Sequence, residues 1–237
     1  MPKNCGRVTS MIAIEFSNVS LEIDDCKILR EINLVFSAHR IGIIGVNGSG
    51  KSTLVRLING LHFPSNGCVK VDGIEVNKKT VKQIRRMVGF VFQNPQTQLV
   101  MPEVREDLKF GLKNMGIQNI ESAIEEVSVM LGIQNLLGRN TYQLSGGEKQ
   151  MVALATILVT KPKVLVFDEP TTYLDLMSFN RLSEIVNTLP QQIITISHNL
   201  DLIQTCNQVI LMNQGQVAYD GPPKNAIAKY RELCKSA

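Results

Sequence analysis

IGIIGVNGSGKST, residues 41–53, is the stretch whose reading decides the fold. Ile41 to Gly45 form a short, unbroken apolar run, which predicts a strand buried on both faces rather than an alternating, half-exposed one. Gly45 to Ser52 then fill every defined position of the pattern G-x-x-x-x-G-K-[ST]. Glycines at this spacing let backbone N–H groups wrap a phosphate chain; the lysine reaches the β and γ oxygens, and the last hydroxyl ligates Mg2+. The candidate nucleotide-binding residues are therefore Gly45, Asn47, Gly48, Ser49, Gly50, Lys51, Ser52 and Thr53, with a helix expected from Lys51 to about Leu61. Strand, glycine loop and helix in this order place the chain in the α/β class, with the core of a P-loop NTPase.

Outward from this stretch, the texture alternates between strands and helices. Upstream, residues 12–23 and 28–36 alternate as half-buried strands do and predict an antiparallel hairpin. Downstream, FPSNG (63–67) is a turn, and strands are expected at 68–73 and 87–92, the second ending in Gln93. From about 94 to 148 the pattern becomes helical: Pro102 and acidic residues open a helix that stops at Gly116, and 120–132 has helical apolar spacing. Core-strand runs return at 163–167 and 193–197, separated by a helix at 178–189. QVILM and QVAYDG flank the turn NQG, and an amphipathic helix, NAIAKYRELC, follows. The expected architecture is one domain over 1–237: a mainly parallel core sheet, an N-terminal antiparallel layer, and a helical subdomain inserted at about 94–148.

Composition excludes several alternatives. With 44% hydrophobic and 19% charged residues among 237, the chain is ordinary for a globular protein with a full core. Its longest apolar run, MVALATILV (151–159), falls far below the ~18 residues of a membrane span. MPKNCGRVTSM has no hydrophobic stretch behind its charges, so no secretory signal is expected and the chain reads as cytosolic. The five cysteines are scattered without a C-x-x-C pair, which argues against a disulfide or metal framework. A net charge of +4 without a dense basic run gives no case for nucleic acid.

Three further places carry chemistry. KVLVFDE (163–169) is a buried strand that delivers Asp168 to its carboxyl edge, where ligands collect in open α/β sheets. Asp168 suits the Mg2+ shell, and Glu169 suits the orientation or deprotonation of an attacking water. An acidic pair after a strand can also be a helix cap; beside the glycine loop the catalytic reading is stronger. His198 and Gln93 end neighbouring strands on the same edge: His198 is a candidate γ-phosphate contact, and Gln93 a candidate for Mg2+ or the water. The third place is LSGGEKQ (144–150), where Ser145 and Glu148 fit a capping box for a helix running to 159. Such a box does not need Gly146 and Gly147, each of which costs a helix about 1 kcal/mol relative to alanine. They point to an anion approaching the positive end of the helix, arriving from elsewhere or shared with the first loop.

GVNGSGKST, Gln93, LSGGEKQ, VLVFDEPTTYLD and His198, in that order, resemble the motor ATPases of ATP-binding cassette (ABC) transporters, over almost the whole chain. The resemblance implies hydrolysis of ATP with Mg2+ by a head-to-tail dimer, either a homodimer or a heterodimer with a related ATPase. In it, Ser145, Gly146 and Gly147 serve the other subunit's nucleotide, and the 171–176 loop with Asp175 crosses the seam. Residues 88–116 resemble the energy-coupling-factor (ECF) type. RIGIIGVNGSGKSTLVRLINGL, QLVMPEVREDLKFGLKN and SGGEKQ are similar to the ATPases of biotin importers, which are related to the cobalt type; the short tail after 221 agrees. The implied partners are a transmembrane coupling protein and a separate membrane substrate binder, at the cytoplasmic face of the membrane. Departures from the family pattern are Ile23 where an aromatic is usual for adenine, Met151 where a basic residue is common, and the bulky Tyr173. The competing readings are a cobalt or nickel importer, an exporter half, and a non-transport ABC protein. Leu99, Val100 and Met101 either pack internally or line a groove for the coupling protein.

Overall fold

The computed structural model describes residues 11–170 and 174–235. The alternating N-terminal stretch pairs as expected: β1 (Ile14–Ile23) and β2 (Cys26–Phe36) run antiparallel, with Ile14 opposite Phe36 and Ile23 opposite Cys26. Asp24 and Asp25 close this hairpin at φ 48° and 60°, as a two-residue type I′ turn requires. β3 (Arg40–Gly45) is the buried run, and α1 (Lys51–Ile58) leaves the glycine loop behind it. The helix stops short of Leu61 because Gly60 turns left-handed (φ 66°) and the Leu61 N–H closes back on the Arg56 carbonyl at 2.9 Å. β4 (Asn66–Val71) and β5 (Ile74–Glu75) complete an antiparallel sheet of order β2-β1-β4-β5.

α2 (Val81–Met87), absent from the sequence reading, precedes β6 (Val88–Val91). Then come α3 (Val104–Met115), α4 (Ile120–Leu131), α5 (Gly146–Leu158) and β7 (Val164–Asp168). α6 (Leu176–Thr188), β8 (Gln192–Ile196) and α7 (Leu200–Gln204) follow, and β9 (Gln208–Asn213), β10 (Gln216–Gly221) and α8 (Pro223–Lys235) close the order. The second sheet has the order β10-β9-β3-β8-β7-β6, parallel throughout except for β10 at its edge.

Both faces of this sheet are covered, which is why its strands read as unbroken apolar runs. Along β7, Val164 and Val166 join the core shared with the antiparallel sheet and α1, whereas Leu165 and Phe167 join the core under α3, α4, α5 and α6. Parallel strands all end on one edge. That edge carries Gly45, Asp168 and Ile196, with Gln93, Glu169 and His198 in the turns just beyond.

Candidate nucleotide site

The glycine loop sits at the carboxyl end of β3. Gly45 is at φ 151°, and a Cβ there would overlap the Met212 carbonyl of the neighbouring strand, so only glycine fits. Asn47 and Gly48 are exposed at the crown of the loop. Lys51 is 5% exposed, and its Nζ donates to the Gly45 and Val46 carbonyls at 2.9 and 3.0 Å. Burial lowers the Lys51 pKa, against the opposing pull of Glu169 and Asp168. Ser49 Oγ is buried without a hydrogen-bond partner, a polar atom left inside the cradle.

Ser52 and Asp168, drawn from distant parts of the sequence, meet directly: Ser52 Oγ donates to Asp168 Oδ1 at 2.7 Å. The other oxygen, Oδ2, accepts from Arg56 Nη2 at 3.2 Å. Arg56 was not among the residues singled out from the sequence. Its signal was its place four residues after Ser52, one turn along the same helix face. The donor chemistry fits Mg2+: one hydroxyl and one carboxylate, oxygen ligands both, at an edge where a phosphate chain supplies the rest. Among the described residues no group of three or more His, Cys, Asp or Glu is placed to hold a metal ion.

Glu169 lies one residue past β7, at φ 52°. The left-handed region costs a non-glycine residue about 1–2 kcal/mol, and the surrounding strands hold it there through the Glu169 N–H to the Ile196 carbonyl at 3.2 Å. Gln93 Nε2 donates to Glu169 Oε2 at 3.1 Å, and His198 Nε2 lies 3.2 Å from Oε1. The three residues named from separate strand ends thus form one cluster around a carboxylate.

The LSGGEKQ turn forms a second group. Ser145 Oγ accepts from the Glu148 N–H at 3.3 Å, and Glu148 Oε2 accepts from the Ser145 N–H at 2.8 Å, so the capping box is complete. The Ser145 backbone bond, with Arg139 at 3.0 Å, holds the Glu148 carboxyl below its ordinary pKa. Ser145 and Gly146 are exposed. Gly147 is not open: a methyl there would overlap the Ser178 hydroxyl of α6. Packing within the chain thus gives Gly147 a cause of its own beside the expected anion. Asp175 caps α6, its Oδ1 accepting from the Ser178 N–H at 2.7 Å, which lowers its pKa. Residues 171–173, Tyr173 included, lie outside the described residues. Ile23 is 37% exposed at the end of β1, and Met151 is buried.

A phosphate loop, a hydroxyl–carboxylate corner beside it and a second carboxylate braced one residue further on make a P-loop nucleoside triphosphatase. The chain belongs to the ABC transporter family, whose model matches residues 29–172. The biotin transport ATP-binding protein BioM of Rhizobium etli is 40% identical over 93% of this chain and 98% of its own. The energy-coupling factor transporter ATP-binding protein EcfA1 of Halalkalibacterium halodurans is 39% identical over 90% of this chain and 79% of its own. Among solved structures, CbiO1 of Clostridium perfringens, part of the CbiONQ transporter complex, is 32% identical with a TM-score of 0.81, covering 94% of this chain and 93% of its own. The fold is therefore that of an ABC ATPase related to the ECF type, and the chain binds ATP as an ATPase.

Proposed function

We propose that this chain is the ATP-hydrolysing motor of an ECF-type importer at the cytoplasmic face of the membrane, and that its cargo is biotin. The observation that carries the cargo is the 40% identity to BioM across nearly the full length of both chains. The likeness to CbiO1 supports a cobalt-type importer as the second reading.

The glycine-loop N–H groups and Lys51 bind the triphosphate. Lys51 exchanges two neutral carbonyls for phosphate oxygens, which makes stronger, charge-assisted bonds. Ser52 and Asp168 would hold Mg2+, with Gln93 as the further candidate, and the ion would supply positive charge to the transferring phosphoryl group. Glu169 orients the attacking water and takes its proton, while Gln93 and His198 brace the two carboxylate oxygens. In a head-to-tail dimer the exposed Ser145 and Gly146 face the nucleotide of the other subunit.

Among the described residues no helix is long and apolar enough to cross a membrane, and the proposed route to the bilayer is through partner chains. A groove of about 560 Å³ offers a docking place for the coupling protein. It lies between α2, β6, α3 and α5, with Leu61, Phe90, Phe92, Phe110 and Ile157 in its lining and Arg85 and Arg86 at its margin. Leu99 to Met101 are not part of that lining. Gln98 ties this segment to the Ala153 carbonyl and to Thr156, and Asp107 accepts from the Val100 and Met101 N–H groups at 3.2 and 3.1 Å. Leu99 packs on the core, and Val100 is 58% exposed.

Deleting the chain from its host should abolish uptake of biotin at trace concentrations and leave cobalt and nickel uptake unchanged. The opposite pattern would replace biotin by the metal cargo, and normal uptake of all three would remove both cargo readings.

A further inference from the structure

Asp168 is 2% exposed, and both of its carboxylate oxygens are engaged by α1: Oδ1 by the Ser52 hydroxyl at 2.7 Å, Oδ2 by Arg56 Nη2 at 3.2 Å. Ser52 and Arg56 are one helical turn apart, so a single face of α1 presents a hydroxyl and a guanidinium to the same carboxylate. Burying a carboxylate is costly unless a cation is placed beside it, and Arg56 is the cation placed here. Its own side chain is 39% exposed, so the guanidinium has water within reach when it lets go. The hydrolysis chemistry assigned to Lys51, Glu169, Gln93 and His198 makes no use of a cation at Oδ2.

We propose that Arg56 is a positioning residue that holds Asp168 Oδ2 and sets the Mg2+ concentration at which the site takes up nucleotide. It does so by competing with the ion for one carboxylate. The inference rests on the reading of Ser52 and Asp168 as the residues that hold Mg2+. Two cations drawing on the same carboxylate weaken one another, so any gain from the ion is reduced by what the Arg56 pair already provides. With one partner partly exposed, solvent screens the effect, and its scale is about three- to tenfold in the Mg2+ midpoint.

The test is equilibrium binding of a fluorescent ATP analogue to the full chain during a Mg2+ titration, a readout independent of turnover. Arg56→Gln keeps a donor and removes the charge, and Arg56→Met removes both. Each should lower the Mg2+ midpoint about three- to tenfold, while Arg56→Lys, which keeps the charge, should stay near the unsubstituted chain. A thermal melt shows which variants are folded; either neutral variant suffices if the other is not. An unchanged or raised midpoint in a folded neutral variant overturns the proposal. Asp168→Asn separates the two layers. If it raises the midpoint while the Arg56 variants do not move it, the role of Arg56 is wrong; if it leaves the midpoint unchanged, the reading of the metal corner is wrong as well.

Discussion

Glu169→Gln is the sharpest test of the water-handling cluster, because the structure says what the substitution leaves intact. Glutamine keeps the length and shape of the side chain and places no new demand on the backbone at φ 52°. Its carbonyl oxygen can accept from Gln93 Nε2, now 3.1 Å from Oε2. Its amide can donate to His198 Nε2, now 3.2 Å from Oε1, once that ring carries its proton on Nδ1. Both contacts survive, so the expected change in stability is under about 1 kcal/mol. What disappears is the ability to take a proton. Removing a general base typically lowers the rate by about 10²–10⁴, or roughly 2.7–5.5 kcal/mol of barrier. Phosphate release at saturating ATP should fall by that factor, while ATP affinity, measured separately by equilibrium binding, stays within about twofold because no phosphate-binding group is touched. Turnover within tenfold of the unsubstituted chain, with affinity intact, would refute the assignment. Loss of affinity with normal turnover per bound ATP would refute it in the other direction, by making Glu169 a binding residue.

Two further outcomes follow from the geometry. Aspartate caps a helix as well as serine does, so Ser145→Asp should keep α5 folded yet place a negative charge where a partner's phosphate would arrive; in a Glu169→Gln background, Ser145→Asp and Lys51→Ala chains should each trap almost no ATP alone but up to one per mixed dimer, and no gain on mixing, with mixed dimers shown to form, would make the turn a helix cap only. Asp107 is 3% exposed with Oδ2 unpartnered, and burial raises its pKa, outweighing its two backbone bonds. The native chain therefore holds this proton more tightly than the unfolded one, so stability falls as pH rises from the ordinary aspartate range through the raised native pKa and levels off above it; Asp107→Asn should gain in melting temperature relative to the unsubstituted chain between acid and neutral pH, and a gap that does not widen with pH would show that the buried charge is not the cause.

How much could be read beforehand depended on whether the information was local. β3 and β7 were legible because burial on both faces removes polar residues from the sequence itself. α2 was not: in VKQIRRM only Ile84 is buried, so no apolar period marks it. The helix is instead fastened by Arg85, which donates to the Asn59 and Gly60 carbonyls at 3.1 and 2.9 Å, on the far side of β4 and β5 in the sequence. The same division runs through the site. Lys51, Ser52, Asp168 and Glu169 lie in contiguous motifs whose chemistry is spelled out by neighbours, and Gln93 and His198 follow from the rule that parallel strands end together. Arg56 needs the phase of α1 and the position of β7 at once, a pairing over 112 positions that no local pattern states.

The paired glycines of LSGGEKQ show where one local pattern carries two causes. Both looked like clearance for an anion, since a capping box needs neither. For Gly147 the clearance is taken up within the chain, because the first turn of α5 rests against Ser178 at the start of α6. α6 is in turn capped by Asp175 through the Ser178 N–H, so the residue that Gly147 rests against belongs to a capped first turn. An acidic side chain at Gly147 would therefore disturb that packing and repel a phosphate at the same time, and its loss of function would not tell the two apart. Ser145 is exposed and its cap is replaceable in kind, so a charge placed there acts on whatever approaches from outside. Ser145 and Gly146 are thus the residues that a nucleotide arriving from outside would meet, and Gly147 packs the turn that presents them.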